Sequence, residues 1–471
     1  MNSLTRCIFL AAFAVVLSTT VTTAAAKDED RYDDRDDRDN SGPGSGDDRE
    51  DRDDRDDGDR DDDDRDDRDD DRDERDNSGS GSGDDRDSAD NDDDDDRSGG
   101  HGSREDDALY RQAGDPNFLA FDAALARAAE IARDDLGREY VRDEALMLGG
   151  RDDLDRAVEH GYALISERTL HNDGRIVARL HVPRRLSVDR AVERLSALAP
   201  TATITRNTIF RGAQTRSAPS STAPTRARVP APNAGLIGVI DTGADVSNLR
   251  SHVVALRAFG SDSYTPREHG TAVATIAVNN GARVQLADVF TVSANGQPAA
   301  SVDAIVAAVD WMMESGVPVM NISVEGPDNR ILSEILERAA RRGFIVVAAA
   351  GNGGPRADPA FPGAFDTAVA VTAVDSNNRI YARANRGDYI SFAALGVRVQ
   401  VQLRDESRTV SGTSFAAPVV AARLAEAHRQ PSTNGARAAI ARLREQAVDL
   451  GQPGHDPIYG WGLVAPDPDR P

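Results

Sequence analysis

The sequence predicts an α/β protein in which a parallel sheet flanked by helices follows a small α+β unit and a disordered acidic tract. Three observations predict it. Beyond residue 233, apolar runs without polar alternation are separated by amphipathic stretches, the pattern of strands buried on both faces of a helix-covered sheet. Between residues 108 and 212, shorter segments switch between helical and strand periodicity. Residues 27–107 hold 41 acidic and 15 basic side chains and almost no apolar ones. The expected division is therefore 1–26, 27–107, 108–212, a linker at 213–232, and 233–471.

The first segment reads as a removable export signal. Arg6 precedes the apolar run "CIFLAAFAVVL", and Ala24 and Ala26 form an A-x-A pattern before a cut after Ala26. The run is short for a membrane span of about 20 residues, and no later run is long enough, so the expected mature form carries no span and is periplasmic or extracellular. The single cysteine, Cys7, falls inside the signal. The mature chain then has neither disulfides nor thiolate metal sites, and its stability comes from packing.

The tract at 27–107 nets about −26, against −25 for the whole chain, so the remainder is close to neutral. With so few apolar groups, it cannot offset its ordering entropy and is expected to be disordered. Solvation or spacing is one role. Weak multivalent binding of Ca²⁺ by clustered carboxylates is another, although the interspersed arginines and the absence of EF-hand spacing argue against a dedicated cation site. The sign of the charge disfavours nucleic-acid binding, and no nucleic-acid partner is expected.

In the unit at 108–212, "FLAFDAALARAAEIARDDLG" (118–137) has helical spacing through Phe121, Leu125 and Ala128 to Ile131. "YVRDEALMLG" reads as a strand, "RDDLDRAVEHG" as a helix, and "YALISERTL" as a strand. The turn signal Asn172–Gly174 leads into the strand "RIVARLHVP". "SVDRAVERLSALAP" is a helix capped by Ser187, with Val188, Ala191, Val192, Leu195 and Leu198 on one face. "TATITRNTIF" closes as a strand. The order β-α-β-β-α-β predicts a ferredoxin-like arrangement. His171 and His181 beside its hairpin read as surface or packing residues, not as metal ligands. The linker that follows is rich in Pro, Ser and Arg and has no periodicity.

After the linker, "GLIGVID", "RVQLADVF", "VPVMNIS" and "GFIVVAAAGN" read as buried strands. "SVDAIVAAVDWMMESG" and "NRILSEILERAARRG" are amphipathic, through Ile305, Val306, Val309 and Met313 in the first and Ile331, Leu332, Ile335, Leu336 and Ala339 in the second. In such sheets chemistry gathers at the carboxyl ends of strands, so polar residues that end apolar runs are the candidates. Asp241 ends "GLIGVI" and Asn352 ends "FIVVAAAG". His269 and Ser414 open small-residue helices, "HGTAVATIAV" and "SFAAPVVAARLAEAH".

The segments "VIDTGAD", "HGTAVATIAV", "AAAGNGGP" and "SGTSFAAPVVAA" resemble the four signature segments of the subtilisin-like serine proteases, the subtilases or peptidase family S8. The resemblance runs from Leu236 to Val464, and "DPIYGWGLV" is similar to the family's closing segment. Asp, His and Ser stand in the family's order. The resemblance implies a subtilisin-like sheet and a serine endopeptidase acting on proteins or peptides, with no cofactor required for catalysis. Ser414 is then the nucleophile and His269 its base. Asp241 orients the imidazole, and Asn352 serves with the Ser414 backbone as the oxyanion hole. The unit at 108–212 holds the place of the family's pro-domain, a chaperone and inhibitor of its own enzyme and so a partner of it. That implies a self-processed precursor, with Arg211, Arg216, Arg226 and Arg228 offering accessible sites for the cut.

Two departures stand out. The family's substrate-binding strand usually reads Ser-Leu-Gly-Gly, whereas Ser323, Val324, Glu325 and Gly326 stand here. Glu325 leaves three readings open: it repels acidic side chains, favours basic ones, or points to solvent. Val419 replaces a histidine found in many members, outside the triad. No catalytic metal site is expected, and family Ca²⁺ loops are not recognisable. The competing class is a latent or inert scaffold whose acidic tail serves adhesion or cation binding.

Overall fold

The computed structural model describes residues 130–465, apart from 172, 213–215, 220–233 and 405. The expected export signal, the acidic tract, most of the linker and the first part of the helix expected at 118–137 lie outside the described residues.

Seven elements form the first unit: β1 (Ile131–Arg133), β2 (Glu139–Gly149), α1 (Arg151–Glu159), β3 (Ala163–Thr169), β4 (Ile176–His181), α2 (Val188–Leu198) and β5 (Thr203–Gly212). The sheet order β5-β2-β4-β3 is antiparallel throughout, which is the ferredoxin-like arrangement. Ser187 caps α2 by accepting the Arg190 N–H. The described end of the helix expected at 118–137 is a correction. Ile131–Arg133 is a strand whose Ile131 pairs with Val141. Asp134 accepts the N–H groups of Leu136 and Arg138 and closes a hairpin turn. The "DDLG" turn chemistry wins there over the apolar spacing.

The second unit is a seven-stranded parallel sheet. Its strands are β7 (Leu236–Asp241), β8 (Val253–Ala258), β9 (Arg283–Asp288), β12 (Val319–Ile322), β14 (Ile345–Ala349), β15 (Ala368–Val374) and β16 (Ile390–Leu395). They run in the order β16-β15-β14-β12-β7-β9-β8. Helices α3 (Glu268–Asn279), α6 (Thr413–Ala427) and α7 (Thr433–Gln446) cover one face, with Val239, Leu286 and Val347 beneath them. Helices α4 (Val302–Glu314) and α5 (Arg330–Arg341) cover the other, over Ile240, Met320 and Val346. Both faces are buried, so the strand sequences are apolar without alternation.

The hairpin of β10 (Phe290–Val292) and β11 (Pro298–Ser301) and the short β13 (Val324–Glu325) rise beside this sheet. A second hairpin, β17 (Val399–Leu403) with β18 (Glu406–Ser411), pairs with β6 (Arg216–Pro219).

The two units share a core. Along β2, Ala145 and Met147 face α1 and α2, whereas Leu146 and Leu148 join the cluster built on α4 and α5. Strand alternation sends successive side chains to opposite faces, and here both faces find apolar cover. β5 joins the units, pairing with β11 (Ala300 opposite Phe210) and with β13 (Val324 opposite Gly212).

Buried charge crosses the same joint. Arg179 on β4 donates to both carboxylate oxygens of Glu144 on β2, at 3.0 and 2.6 Å. The Asn207 amide on β5 bridges Glu144 and Asp303 on the first turn of α4. The Glu144 and Asp303 charges hold the Arg179 guanidinium protonated against the cost of its burial. Removing one partner of such a group leaves uncompensated buried charge. Arg179→Ala is therefore expected to cost about 3–5 kcal/mol, read by urea denaturation of the full chain carrying Ser414→Ala. A loss below 1 kcal/mol would contradict this account.

Candidate active site

Asp241 is the last residue of β7 and is fully buried. Its Oδ1 accepts the Thr242 N–H and lies 2.7 Å from His269 Nδ1. His269 is the second residue of α3, and its Nε2 lies 3.0 Å from Ser414 Oγ, the second residue of α6. Three side chains thus form one hydrogen-bonded line from a strand end through the first turns of two helices.

The approach of α3 to β7 depends on Gly270. A Cβ there would collide with the Thr242 carbonyl oxygen, and the Gly270 N–H donates to Thr242 Oγ1. The Phe415 ring lies 5.4 Å from the imidazole, centroid to centroid.

Asn352 follows β14 and is buried. Its Oδ1 accepts from both Thr413 N and Thr413 Oγ1, at 3.0 and 3.1 Å, so the amide orientation is fixed from one side. Its Nδ2 is buried and has no hydrogen-bond partner among the described residues. An orphaned donor beside a serine hydroxyl suits a developing negative oxygen.

Ser323 and Val324 are fully buried, and Ser323 Oγ donates to the Ser414 carbonyl at 3.2 Å. Gly326 exchanges two backbone hydrogen bonds with Phe361, and a Cβ on it would strike the Phe210 ring. Glu325 does not simply point to solvent, since its Oε2 accepts the Asn352 N–H at 3.0 Å. The eight residues singled out in the sequence, Asp241, His269, Asn352, Ser414 and the strand from Ser323 to Gly326, therefore converge, and His269, Glu325 and Gly326 line one cleft.

Thr242, Thr413 and Asp288 escaped the sequence reading. The two threonines lie inside quoted motifs, yet only the fold shows that their hydroxyls set Gly270 and Asn352. Asp288 ends β9 directly opposite Asp241. The strand-end rule that selects "VID" applies equally to "LAD". His171 is exposed beside Glu314, and His181 is exposed at the end of β4. Among the described residues no His/Cys/Asp/Glu group is arranged to hold a metal ion, and no helix is long and apolar enough to cross a membrane.

The subtilase family model matches residues 233–462. Subtilisin DY of Bacillus licheniformis is 32% identical over 243 residues, covering 48% of this chain and 88% of that protein. Subtilisin Savinase of Lederbergia lenta is 31% identical over 258 residues, covering 50% and 94%. M-protease of Shouchella clausii (strain KSM-K16) is 28% identical over 372 residues, covering 74% and 94%. Fervidolysin from Fervidobacterium pennivorans, a keratinolytic enzyme related to subtilisin, superposes with a TM-score of 0.56 at 20% identity, over 72% of this chain and 62% of its own. That superposition shows a shared fold.

Charge around the site is uneven. Burial disfavours the His269 imidazolium, but the Asp241 carboxylate bonded to it and the nearby Glu325 outweigh burial and raise its pKa. Burial pushes the Asp288 carboxyl up to about 6, although the Thr265, Phe290 and Gly243 N–H groups bond to its charged form. A folded pKa above the unfolded value means that this group's contribution is complete below about pH 4 and is lost as pH rises through about 6. Asp288→Asn, a permanently neutral group, should therefore gain on its parent as pH rises from 4 to 8, by up to about 3 kcal/mol. Urea denaturation across that range, with Ser414→Ala in both chains, reads the difference. A pH-independent difference would contradict the assignment.

Proposed function

Since the chain belongs to the subtilase family and is a serine-type endopeptidase, we propose that it is an exported, self-processed precursor that cleaves peptide bonds through Asp241, His269 and Ser414. The observation that carries this reading is the unbroken line of hydrogen bonds from Asp241 through His269 to Ser414 Oγ, with the unpartnered Asn352 amide nearby. Ser414 Oγ attacks the substrate carbonyl carbon as its proton passes to His269 Nε2. Asn352 Nδ2–H and the Ser414 backbone N–H take up the charge that forms on the carbonyl oxygen. His269 returns the proton to the departing amine, leaving an acyl-enzyme on Ser414. Water, activated by the same imidazole, then releases the acid. Asp241 holds the Nδ1–H tautomer and stabilises the imidazolium, and it takes up no proton itself. No cofactor enters any step.

The unit at 130–212 is proposed to inhibit the site for as long as it stays bound. β5 pairs with β11 and β13 as an added strand, the way an extended peptide binds a sheet edge. Gly212 is held opposite Val324, one position before Ser323, and Arg216 opposite Ser411, three residues before Ser414. The first cut is therefore expected between these two anchors, Gly212 and Arg216. The linker arginines Arg226 and Arg228 lie beyond this span. Arg211 is committed to β5, with its guanidinium on Glu139.

Intact-mass and N-terminal analysis of the full chain should show that cut, together with fluorophosphonate labelling, and Ser414→Ala should show neither. Equal processing in both chains would assign the cut to another protease. Asn352→Ala is expected to lower kcat by about 10²–10³, the loss known for the equivalent asparagine of subtilisin. Because turnover needs neutral His269 and its pKa is raised, activity should fall on the acid side of a raised midpoint. Glu325→Gln should move the acid limb of kcat/KM to lower pH. An unmoved limb would remove Glu325 from that account.

A further inference from the structure

We propose that Glu325 makes this protease selective for an arginine or lysine on the acyl side of the cleaved bond. The inference rests on the protease reading above and names the substrate class of that same site.

The register supplies the first argument. In an antiparallel pair, directly opposite side chains project from the same face, and faces alternate along each strand. Arg211 stands opposite Glu325 and Gly212 opposite Val324. A peptide lying in the place of β5 therefore presents its next residue opposite Ser323, whose Oγ is bonded to the Ser414 carbonyl. That residue carries the carbonyl to be attacked. Its side chain lies two positions from the one opposite Glu325, and so shares the face of the ribbon from which Glu325 projects.

The carboxylate supplies the second. Glu325 is turned along the strand toward the reaction centre, with Oε2 accepting the backbone N–H of Asn352, whose side chain is the proposed oxyanion donor. Its charge is felt at His269 and at the Tyr389 phenol, which donates to the Ala350 carbonyl, so the carboxylate lies among the groups that wall this part of the cleft. A side chain entering beside it meets negative charge in a cleft that Gly326, Gly353, Ala360 and Phe361 also line. A guanidinium or ammonium end is attracted there. An aliphatic or aromatic end desolvates the carboxylate without compensation, and an acidic end is repelled.

Arg211 of the tethered strand does not meet this demand, because its guanidinium is engaged by Glu139 and by the Pro298 carbonyl. The residues at the self-processing cut are no guide to the preference either. A tethered strand is presented at an effective concentration high enough to compensate for a poor side chain.

The test uses the self-processed enzyme and four fluorogenic tetrapeptides that differ only in the last residue before the fluorophore: Arg, Lys, Phe or Glu. Fluorophosphonate labelling counts the working sites. The parent should rank Arg and Lys above Phe, and Phe above Glu, in kcat/KM. Glu325→Gln should lower the Arg-to-Phe ratio by about 30-fold or more, the scale of losing one partner of a desolvated charge pair. Glu325→Gly should raise turnover of the Phe peptide as well as lowering that of the Arg peptide, a gain that damage to the fold cannot produce. An active, labelled parent that prefers Phe to Arg overturns the proposal while leaving the protease reading intact. So does an Arg-to-Phe ratio unchanged in both variants. A chain that neither labels nor cleaves any peptide overturns both.

Discussion

A carboxylate with no exposure to water, Asp241 at the end of β7, is the constraint on which the site and much of the second unit depend. Burying such a charge is costly unless hydrogen bonds and an opposite charge offset it. Thr242 N–H and His269 Nδ1 do so, and the second requires α3 to begin almost against the strand. That approach requires glycine at 270, and it requires α3 and α6 to pack closely so that His269 also reaches Ser414. The small residues of both helices, Ala272, Ala274, Ala416, Ala417 and Ala421, lie fully buried in the shared core and permit the short separation. Their apolar seam is therefore both packing and positioning.

The same geometry explains how a substrate is held. Ser323 ties β12 and β13 to α6 through the Ser414 carbonyl, so the strand proposed to receive a peptide and the helix proposed to supply the nucleophile are fixed to each other. Thr413, one residue before the nucleophile, fixes the amide of Asn352. The proposed oxyanion donor and peptide-binding edge are thus both tied to the Thr413–Ser414 stretch that carries the proposed nucleophile. Electrostatic stabilisation of a transition state is effective when donors are already in place and need no rearrangement.

Most of this was legible in the sequence. Four of the seven sheet strands, β7, β9, β12 and β14, read correctly because burial on both faces leaves an uninterrupted apolar run, and Asp241 and Asn352 stood out where such runs end in a polar residue. The misreading of Ile131–Arg133 has a local cause. Three residues are too few to display strand alternation, and the preceding alanines carry helical spacing. Asp134 then accepts two backbone N–H groups and closes a hairpin that apolar periodicity does not register. The direction of the Glu325 carboxylate was not legible, because it depends on the backbone of Asn352, which is distant in sequence. Asp288 was accessible to the strand-end rule. What the sequence could not supply was its place opposite Asp241, which follows from the pairing of β7 with β9.

The joint between the two units has the character of a core. Phe210 is completely buried, and its ring rests where a side chain on Gly326 would otherwise be. Leu146 and Leu148 are equally buried, against helices of the second unit. Each such side chain is worth about 1.5–3 kcal/mol when removed from water. The buried group of Arg179, Glu144, Asn207 and Asp303 adds charges that separation would leave to be rehydrated together. Cutting the chain beyond Gly212 removes the covalent tether and none of these contacts. The pairs of β5 with β11 and β13 also survive it, since the β5 residues in them, Ile209 to Gly212, lie on the N-terminal side of the cut. Cleavage and exposure of the cleft are therefore separate events in this fold. In the proposed maturation the first belongs to Ser414, and the second depends on the stability of the 130–212 unit and its shared core.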